Sequence, residues 1–216
     1  MKHEGKDQRR RYNSPRRAAQ AARTRETIVR AAQELLEERG WAGTTLPGVA
    51  SEAGVSLKTV EAVFGTKAVL LQAAVDYAIR GDVDPLPMPQ RDSVTRMEAA
   101  PDAPTMLRLH AKHLRTINSR SARIAAAVEQ AAASDEAVAA LWRRMNDNRR
   151  YAVHWASGTL LAKPGRKPGL TRRQVETAFW VALDWATYRT LIDHAGLALN
   201  EYEAWLNRYY RDAFLM

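Results

Sequence analysis

Apolar residues recur at helical spacing almost throughout this chain of 216 residues, and the alternation typical of β-strands is nearly absent. The clearest case is the stretch 24–39, whose apolar positions fall on one face of a helix: Ile28, Ala31, Ala32, Leu35 and Leu36. Alanine, the strongest helix former, occurs 38 times. Short segments rich in Gly and Pro separate the helical stretches. These features predict an all-α fold.

Nine further helices are expected after the first, which Gly40 should end in a left-handed cap conformation. Thr45 and Ser56 are predicted N-caps of the second and third helices. The remaining helices are predicted at about 46–53, 56–64, 66–80, 92–99, 104–118, 120–132, 135–162, 171–195 and 200–214. Three prolines within 81–89 prevent helix formation there and mark a boundary or hinge.

Basic residues are concentrated at the N-terminus. The formal net charge is +9 at pH 7, and residues 1–25 hold nine basic side chains against two acidic ones. Such a cluster gains free energy by displacing counterions from phosphates, so it indicates a nucleic-acid partner. The alternative is a solvated tail that only improves solubility.

Composition narrows the function classes. The absence of cysteine excludes a disulfide framework, a thiolate zinc site and a cysteine nucleophile. No apolar run approaches the roughly 20 residues that cross a membrane, and the basic N-terminus lacks the apolar core of a secretory signal. We therefore expect a cytoplasmic protein without a membrane partner.

The segment 44–60 has the spacing of a helix-turn-helix. Ala50 is a small residue four positions before Gly54, a turn glycine, and Val49, Val55 and Val60 supply apolar contacts. This spacing lets two short helices cross closely, with the second entering a DNA major groove. Another kind of tight helical hairpin can have the same spacing.

A longer stretch, residues 25–75, resembles the DNA-binding domain of the TetR (tetracycline-repressor-like) family. The resemblance is carried by Gly40-Trp41, Thr44-Thr45, Val49-Ala50, Ala53-Gly54-Val55-Ser56, Thr59-Val60, Phe64, Lys67 and Leu70-Leu71. It implies a transcription regulator with an N-terminal three-helix DNA-binding domain and a C-terminal helical bundle. It also implies a homodimer that binds a small ligand and then releases DNA.

By this resemblance, Thr44 and Thr45 approach the DNA backbone, and Lys67 meets a phosphate at the start of the fourth helix. The residues that face the groove are Ser56 at the N-cap, followed by Leu57, Lys58, Thr59, Glu61 and Ala62. Hydroxyl groups and helix N-termini donate to phosphate, and Lys58 can reach guanine O6 and N7.

Glu61 and two arginines of the basic arm also bear on DNA binding. Glu61 stands where the family typically has a phosphate-contacting tyrosine. Its carboxylate would repel phosphate, accept from cytosine N4, or pair with Lys58 on the same face. In the basic arm, Arg16 and Arg17 are placed to follow the DNA backbone or to enter the minor groove.

The helix 171–195 contains six consecutive apolar residues, 178–183. A helix that is apolar on every side must be covered on every side, which in a chain of this size calls for a partner molecule. With the last helix it predicts a two-fold four-helix interface, which the resemblance also implies. The predicted interface residues are Phe179, Val181, Ala182, Trp185, Leu206 and Tyr210. The alternative is a central core helix in a monomer.

Aromatic and polar residues on the C-terminal helices are candidates for a ligand pocket or for plain core. The predicted pocket residues are His113, Trp142, Met145, Trp155, Trp180 and Asp184. His110 and His113 have metal-ligand spacing, but without a visible third ligand a core or surface pair is the better interpretation. We expect no metal site, no cofactor and no catalytic residues.

The sequence thus predicts a basic arm (1–23), a helix-turn-helix domain (24–80), a linker (81–91) and a ligand-binding and dimerisation domain (92–216). The predicted function is a homodimeric, sequence-specific regulator, a repressor released from a double-stranded DNA operator by a small-molecule effector. The alternative is a helical nonspecific DNA-binding protein without an effector.

Overall fold

The computed structural model describes residues 15–216, and in that range the regular structure is helical, with no strand. Its α-helices are α1 (Pro15–Gly43), α2 (Leu46–Glu52), α3 (Leu57–Phe64), α4 (Lys67–Arg80), α5 (Asp92–Glu98), α6 (Ala103–Ala132), α7 (Glu136–Leu161), α8 (Arg172–Ala182), α9 (Trp185–Arg189) and α10 (Leu199–Phe214). A 3₁₀ turn (Met88–Gln90) precedes α5, and a π-helical turn (Thr190–His194) follows α9. The expected all-α fold is confirmed.

None of these helices is by itself long and apolar enough to cross a bilayer. Within the described range, only α3 and α4 together reach that length and composition, across a bend of 76°.

Helix α1 begins nine residues earlier than the apolar pattern predicts. Residues 16–23 are helical but exposed, so they add no apolar face that the sequence pattern could register. At the other end Gly40 interrupts the helix with φ 63°, a conformation that glycine adopts without a Cβ clash. The predicted stop at Gly40 therefore has its expected cause.

Helices α2, α3 and α4 each begin at a hydroxyl N-cap. The caps are Thr45, which accepts from the Gly48 N–H at 3.1 Å, Ser56, which accepts from the Thr59 N–H at 3.1 Å, and Thr66, which accepts from the Val69 N–H at 3.3 Å. Each cap satisfies a backbone donor that the first turn leaves without a helical partner. The starts of these helices are therefore set by side chains within three residues.

Helix α6 is continuous for 30 residues, where the sequence pattern predicts two helices meeting near residue 119. The polar residues at the expected break are buried and have partners. The Asn118 amide donates to the Tyr202 hydroxyl at 2.9 Å, and the Trp185 indole donates to the Ser121 hydroxyl at 3.0 Å. Hydrogen bonds to distant residues thus stabilise the helix across a polar stretch whose local sequence predicts a helix boundary.

The predicted single helix 171–195 is wrong. Helix α8 ends at Ala182, and Asp184 then caps α9 by accepting the Thr187 N–H at 3.2 Å. The Asp184 carboxylate also accepts from Arg149 on α7 at 2.6 Å. A cap and an ion pair at Asp184 therefore accompany the break between α8 and α9, just after the apolar run 178–183.

The two halves of the chain pack directly on each other, since α1 and α4 both contact α6. At this junction the Arg120 guanidinium donates to the carbonyls of Ala78 and Ile79, at 3.1 and 3.0 Å, where α4 ends. The connecting segment 81–91 is held by a bidentate ion pair between Arg91 and Asp82, with distances of 2.7 and 2.9 Å. Helix α6 is thereby bonded directly to the end of α4.

Candidate nucleic-acid interface and ligand cavity

Helices α2 and α3 cross as the segment 44–60 predicts. Gly54 adopts φ 65° in the turn, and the Val55 N–H donates to the Ala50 carbonyl at 3.0 Å. Val60 and Phe64 on α3 are buried against the N-terminal core. The inner face of α3 therefore anchors the helix and leaves its outer face for a partner.

The outer face of α3 is open to solvent. Leu57, Lys58, Glu61 and Ala62 are exposed, and Leu57 keeps 37% of its surface accessible. Thr59 is half-buried, and its hydroxyl lies 2.8 Å from the hydroxyl of Ser56. This exposed face begins at the capped N-terminus of α3. A helical face of this kind is suited to insertion into a DNA major groove.

Of the two threonines before α2, only Thr45 is exposed. Thr44 retains 3% of its surface, and its hydroxyl donates to the Gly40 carbonyl at 2.8 Å. The Thr44 hydroxyl therefore closes the end of α1 in this conformation, and its predicted phosphate contact stays a prediction.

Lys67 also has an internal partner in this structure. Its ammonium group donates to the Trp41 carbonyl and lies 3.8 Å from the centre of the Trp41 ring. Burial lowers the pKa of Lys67, while the nearby Asp135 opposes that shift. This internal cation–π contact is a stable arrangement for a half-buried ammonium group, and the phosphate contact of Lys67 stays a prediction.

Trp41 links this cluster to the C-terminal bundle. Its indole N–H donates at 3.0 Å to Asp135, and the other carboxylate oxygen of Asp135 caps α7 by accepting from the Ala137 N–H at 3.0 Å. Asp135 was not predicted as part of this cluster, because its partner Trp41 lies 94 residues away in the sequence. The sequence did indicate that Asp135 is suited to the N-cap position before α7.

The basic arm lies mostly outside the described residues. Arg16 and Arg17 are inside them, on the first turn of α1, and both are exposed. Arg25, two turns further along, stacks over the Phe64 ring with its guanidinium 4.6 Å from the ring centre. The N-terminal part of α1 thus carries exposed cations, of which Arg25 contacts α3, while Lys2, Lys6 and Arg9 to Arg11 fall in the part that is not described.

A cavity of about 430 Å³ lies between α4, α6, α7 and the segment that precedes α5. It has a volume typical of small-molecule sites. Of the predicted pocket residues, His113, Met145 and Trp155 line it. The others lie elsewhere: Trp142 and Asp184 line a second cavity of about 210 Å³, and Trp180 stacks on Arg149 at 4.1 Å.

Several residues of the larger cavity are not among those predicted from the sequence, including Ile79, Leu114, Asn118 and Arg149. Leu114 and Asn118 follow His110 at i+4 and i+8, so helical spacing from the histidines could have identified them. Arg149 carried no such signal, because its place depends on Asp184.

Two histidines of α6 face this region. His110 is buried, and its Nδ1 lies 2.7 Å from the Tyr210 hydroxyl. Burial lowers the pKa of His110 to about 3 and that of His113 to about 4, with His113 and Arg120 respectively adding a smaller effect of the same sign. Both imidazoles are therefore neutral near pH 7. Among residues 15–216, no group of three metal-ligating side chains occurs.

Most of the predicted interface residues are inside the single chain. Phe179, Ala182, Leu206 and Tyr210 keep at most 1% of their surface, and Trp185 keeps 8%. Only Val181, at 41%, has the exposure that an interface residue needs. The other five lie in the protomer's own core, Trp185 on α9 and the rest on α8 and α10, and their predicted role at an interface stays a prediction.

Residues 28–74 match the family described as bacterial regulatory proteins, tetR family. No curated protein matches the chain at a significant level.

Solved structures share the fold over nearly the whole chain. NalD, the secondary repressor of the MexAB-OprM multidrug efflux pump in Pseudomonas aeruginosa, has a TM-score of 0.68 at 19% identity, covering 91% of this chain and 98% of NalD. A TetR transcription regulator from Haloarcula marismortui has a TM-score of 0.63 at 20% identity, covering 90% and 99%. A protein from Saccharomonospora viridis in complex with choline has a TM-score of 0.64 at 16% identity, covering 90% and 98%. Residues 28–74 therefore match the N-terminal domain of the tetR family of bacterial regulatory proteins, and the chain has the fold of solved TetR-family regulators.

Proposed function

We propose that the chain is a homodimeric repressor that binds a double-stranded DNA operator and leaves it when a small molecule occupies the C-terminal bundle. The observation that carries the DNA-binding part is the exposed outer face of α3, with Lys58 and Glu61 on a helix anchored by Val60 and Phe64. Repression is proposed because NalD, of the same fold, is a repressor. The predicted division at residues 24–80 and 92–216 is part of this proposal.

The release mechanism rests on the contacts between the two halves. The cavity is bounded by α4 and α6, and Arg120 of α6 holds the carbonyl end of α4. A ligand that favours one arrangement of these helices changes the angle at which α4 presents the helix-turn-helix. The strength of release then equals the difference in ligand affinity between the two arrangements.

Selection of DNA from a random pool by the purified protein tests this function against the alternative. A palindromic consensus supports the regulator, since a two-fold dimer reads two half-sites about one helical turn apart. No enrichment would support a nonspecific DNA-binding protein without an effector, the second function that the sequence leaves open.

Lys58→Ala should reduce discrimination between the selected site and a scrambled duplex by about 1–3 kcal/mol, because a lysine can bond guanine O6 and N7 in the major groove. Fluorescence anisotropy with both duplexes at several salt concentrations measures this. Lys112→Ala, an equal loss of charge on the exposed face of α6, is the matched control and should leave discrimination unchanged. Equal effects of the two substitutions would contradict base readout by α3.

The dimer is proposed to form through the outer faces of α8 and α10. These helices are adjacent, since the Tyr209 hydroxyl donates to the Ala178 carbonyl at 3.1 Å. Val181 is exposed there, and Trp180 and Trp205 are half-buried. An apolar surface of this kind suits pairing of the same two helices across a two-fold axis.

Val181→Glu should raise the dimer dissociation constant at least about tenfold, because association would bury an unpaired carboxylate. Light scattering over a concentration series measures the change against the 24.2 kDa protomer. Val69→Glu, at a position on α4 that is 50% exposed, is the matched control and should leave the dimer intact. A wild-type protein that remains monomeric would contradict the interface.

A further inference from the structure

His113 is a polar group of the cavity wall that the protein itself leaves without a partner. The neighbouring His110, one turn away, already has a hydrogen bond with the Tyr210 hydroxyl. His113 lines the cavity but makes no hydrogen bond to any other residue in the described range. His113 is half-buried, and an imidazole that no other side chain engages is free to form a hydrogen bond with a molecule in the cavity.

Each charged side chain named here has an oppositely charged neighbour. Arg149 forms an ion pair with Asp184 at 2.6 Å and stacks on Trp180, and its buried Nε makes no hydrogen bond within the described residues. Asp76 accepts from Gln72 at 2.8 Å and lies 3.8 Å from Arg80. An ion that entered the cavity would lose its hydration without finding an unopposed counter-charge, so the wall favours an uncharged molecule.

Other polar groups of the wall are similarly engaged. The Trp155 indole donates to Glu98 at 2.8 Å, and the Asn118 amide donates to Tyr202 at 2.9 Å. Asn148 and Tyr151 also line the cavity but are exposed, so they lie towards solvent. The rest of the wall is mainly apolar or aromatic, with Ile79, Met88, Val94, Leu114, Ile117 and Met145.

We propose that the cavity binds an uncharged, largely apolar aromatic molecule with one hydroxyl or carbonyl group, which hydrogen-bonds to His113. This proposal deepens the proposed function, because it names the effector class of the same cavity. A neutral imidazole suits the role, since it can donate to a carbonyl or accept from a hydroxyl. Burial, which keeps the pKa of His113 near 4, maintains that neutral state.

The test compares four two-ring probes on the full chain by isothermal titration calorimetry at pH 7.5 without DNA. The probes are 2-naphthol, naphthalene, 2-naphthoate and 2-naphthylmethylamine, which differ in one substituent on the same apolar body. 2-Naphthol should bind about fivefold more tightly than naphthalene, as one net hydrogen bond requires. It should bind at least about tenfold more tightly than either charged probe.

His113→Leu should remove the preference for 2-naphthol over naphthalene while changing the affinity for naphthalene less than about threefold. His113→Gln, which keeps a donor and an acceptor, should retain part of the preference and serves if the leucine variant does not fold. His194→Leu, at an exposed histidine outside the cavity, is the matched control and should bind like the wild type.

Absence of binding by all four probes at 1 mM would overturn the proposal. Equal or tighter binding of a charged probe, or a hydroxyl preference that survives in His113→Leu, would overturn it as well. A separate anisotropy measurement adds 2-naphthol to the protein on its selected DNA. Selective binding without DNA release supports the effector chemistry and contradicts the proposed release mechanism, so the two failures are distinguishable.

Discussion

Phe179→Ala should lower the free energy of unfolding of the protomer by about 3–5 kcal/mol, the range for removing a buried aromatic ring. The Phe179 ring is fully buried and packs against His110, Tyr210 and Phe214, with ring centres 5.0–5.6 Å away. Its loss leaves a cavity where α6, α8 and α10 meet. Urea denaturation measured at several protein concentrations gives the change and separates it from dimer dissociation.

Val181→Ala is the matched control for this experiment, because Val181 is two residues away on the same helix but 41% exposed. Its effect on the free energy of unfolding should stay below about 1 kcal/mol. If Phe179→Ala instead weakened only dimer association and left the protomer's stability unchanged, Phe179 would lie at the interface and its place in the core would be wrong.

Lowering the pH from 6.5 to about 4 should destabilise the protein, with His113 alone contributing on the order of 3 kcal/mol. Burial depresses the folded-state pKa of His113 to about 4 and that of His110 to about 3, both below the ordinary value of 6.5. Between these values the unfolded chain binds protons that the folded chain does not bind. Stability is therefore greatest above pH 6.5 and decreases as the pH falls towards the folded-state values.

Urea denaturation at intervals between pH 7.5 and 4.5 measures this dependence, with His113→Gln as the comparison. Glutamine does not titrate, so the slope of unfolding free energy against pH should fall by up to about 1.4 kcal/mol per unit. His110 should still produce a residual slope in the variant. A His113→Gln protein with the wild-type slope would contradict a buried, neutral His113.

The N-terminal helices were well predicted because their limits depend on neighbouring residues. Thr45, Ser56 and Gly40 act within three or four positions of themselves, as caps or as a left-handed stop. The apolar face of α1 follows from helical spacing alone. The start of α1 was missed for the same reason, since residues 16–23 are helical without an apolar face.

The side-chain roles predicted at the candidate DNA interface depend on neighbours that the sequence alone does not indicate. Thr44 and Lys67 carry groups suited to phosphate, but the fold supplies both with internal partners, at Gly40 and Trp41. Residue type indicates what a group can bind, whereas its direction depends on which neighbours the fold brings within reach. The exposure of Lys58 and Glu61 fits the prediction because the opposite face of α3 carries the apolar anchors.

Helix formation, the helix-turn-helix spacing and the basic N-terminus follow from the order of residues, because they depend on contacts within about four positions or on charge alone. The break at Asp184, the burial of Phe179 and the position of His113 in a cavity wall became clear only in the folded chain. Asp184 is bonded to Arg149, 35 residues away, and Phe179 packs on side chains from α6 and α10. An apolar run of six residues is compatible with a subunit interface or with a core. The packing of distant helices decides between an interface and a core, because only that packing determines which side of α8 is covered.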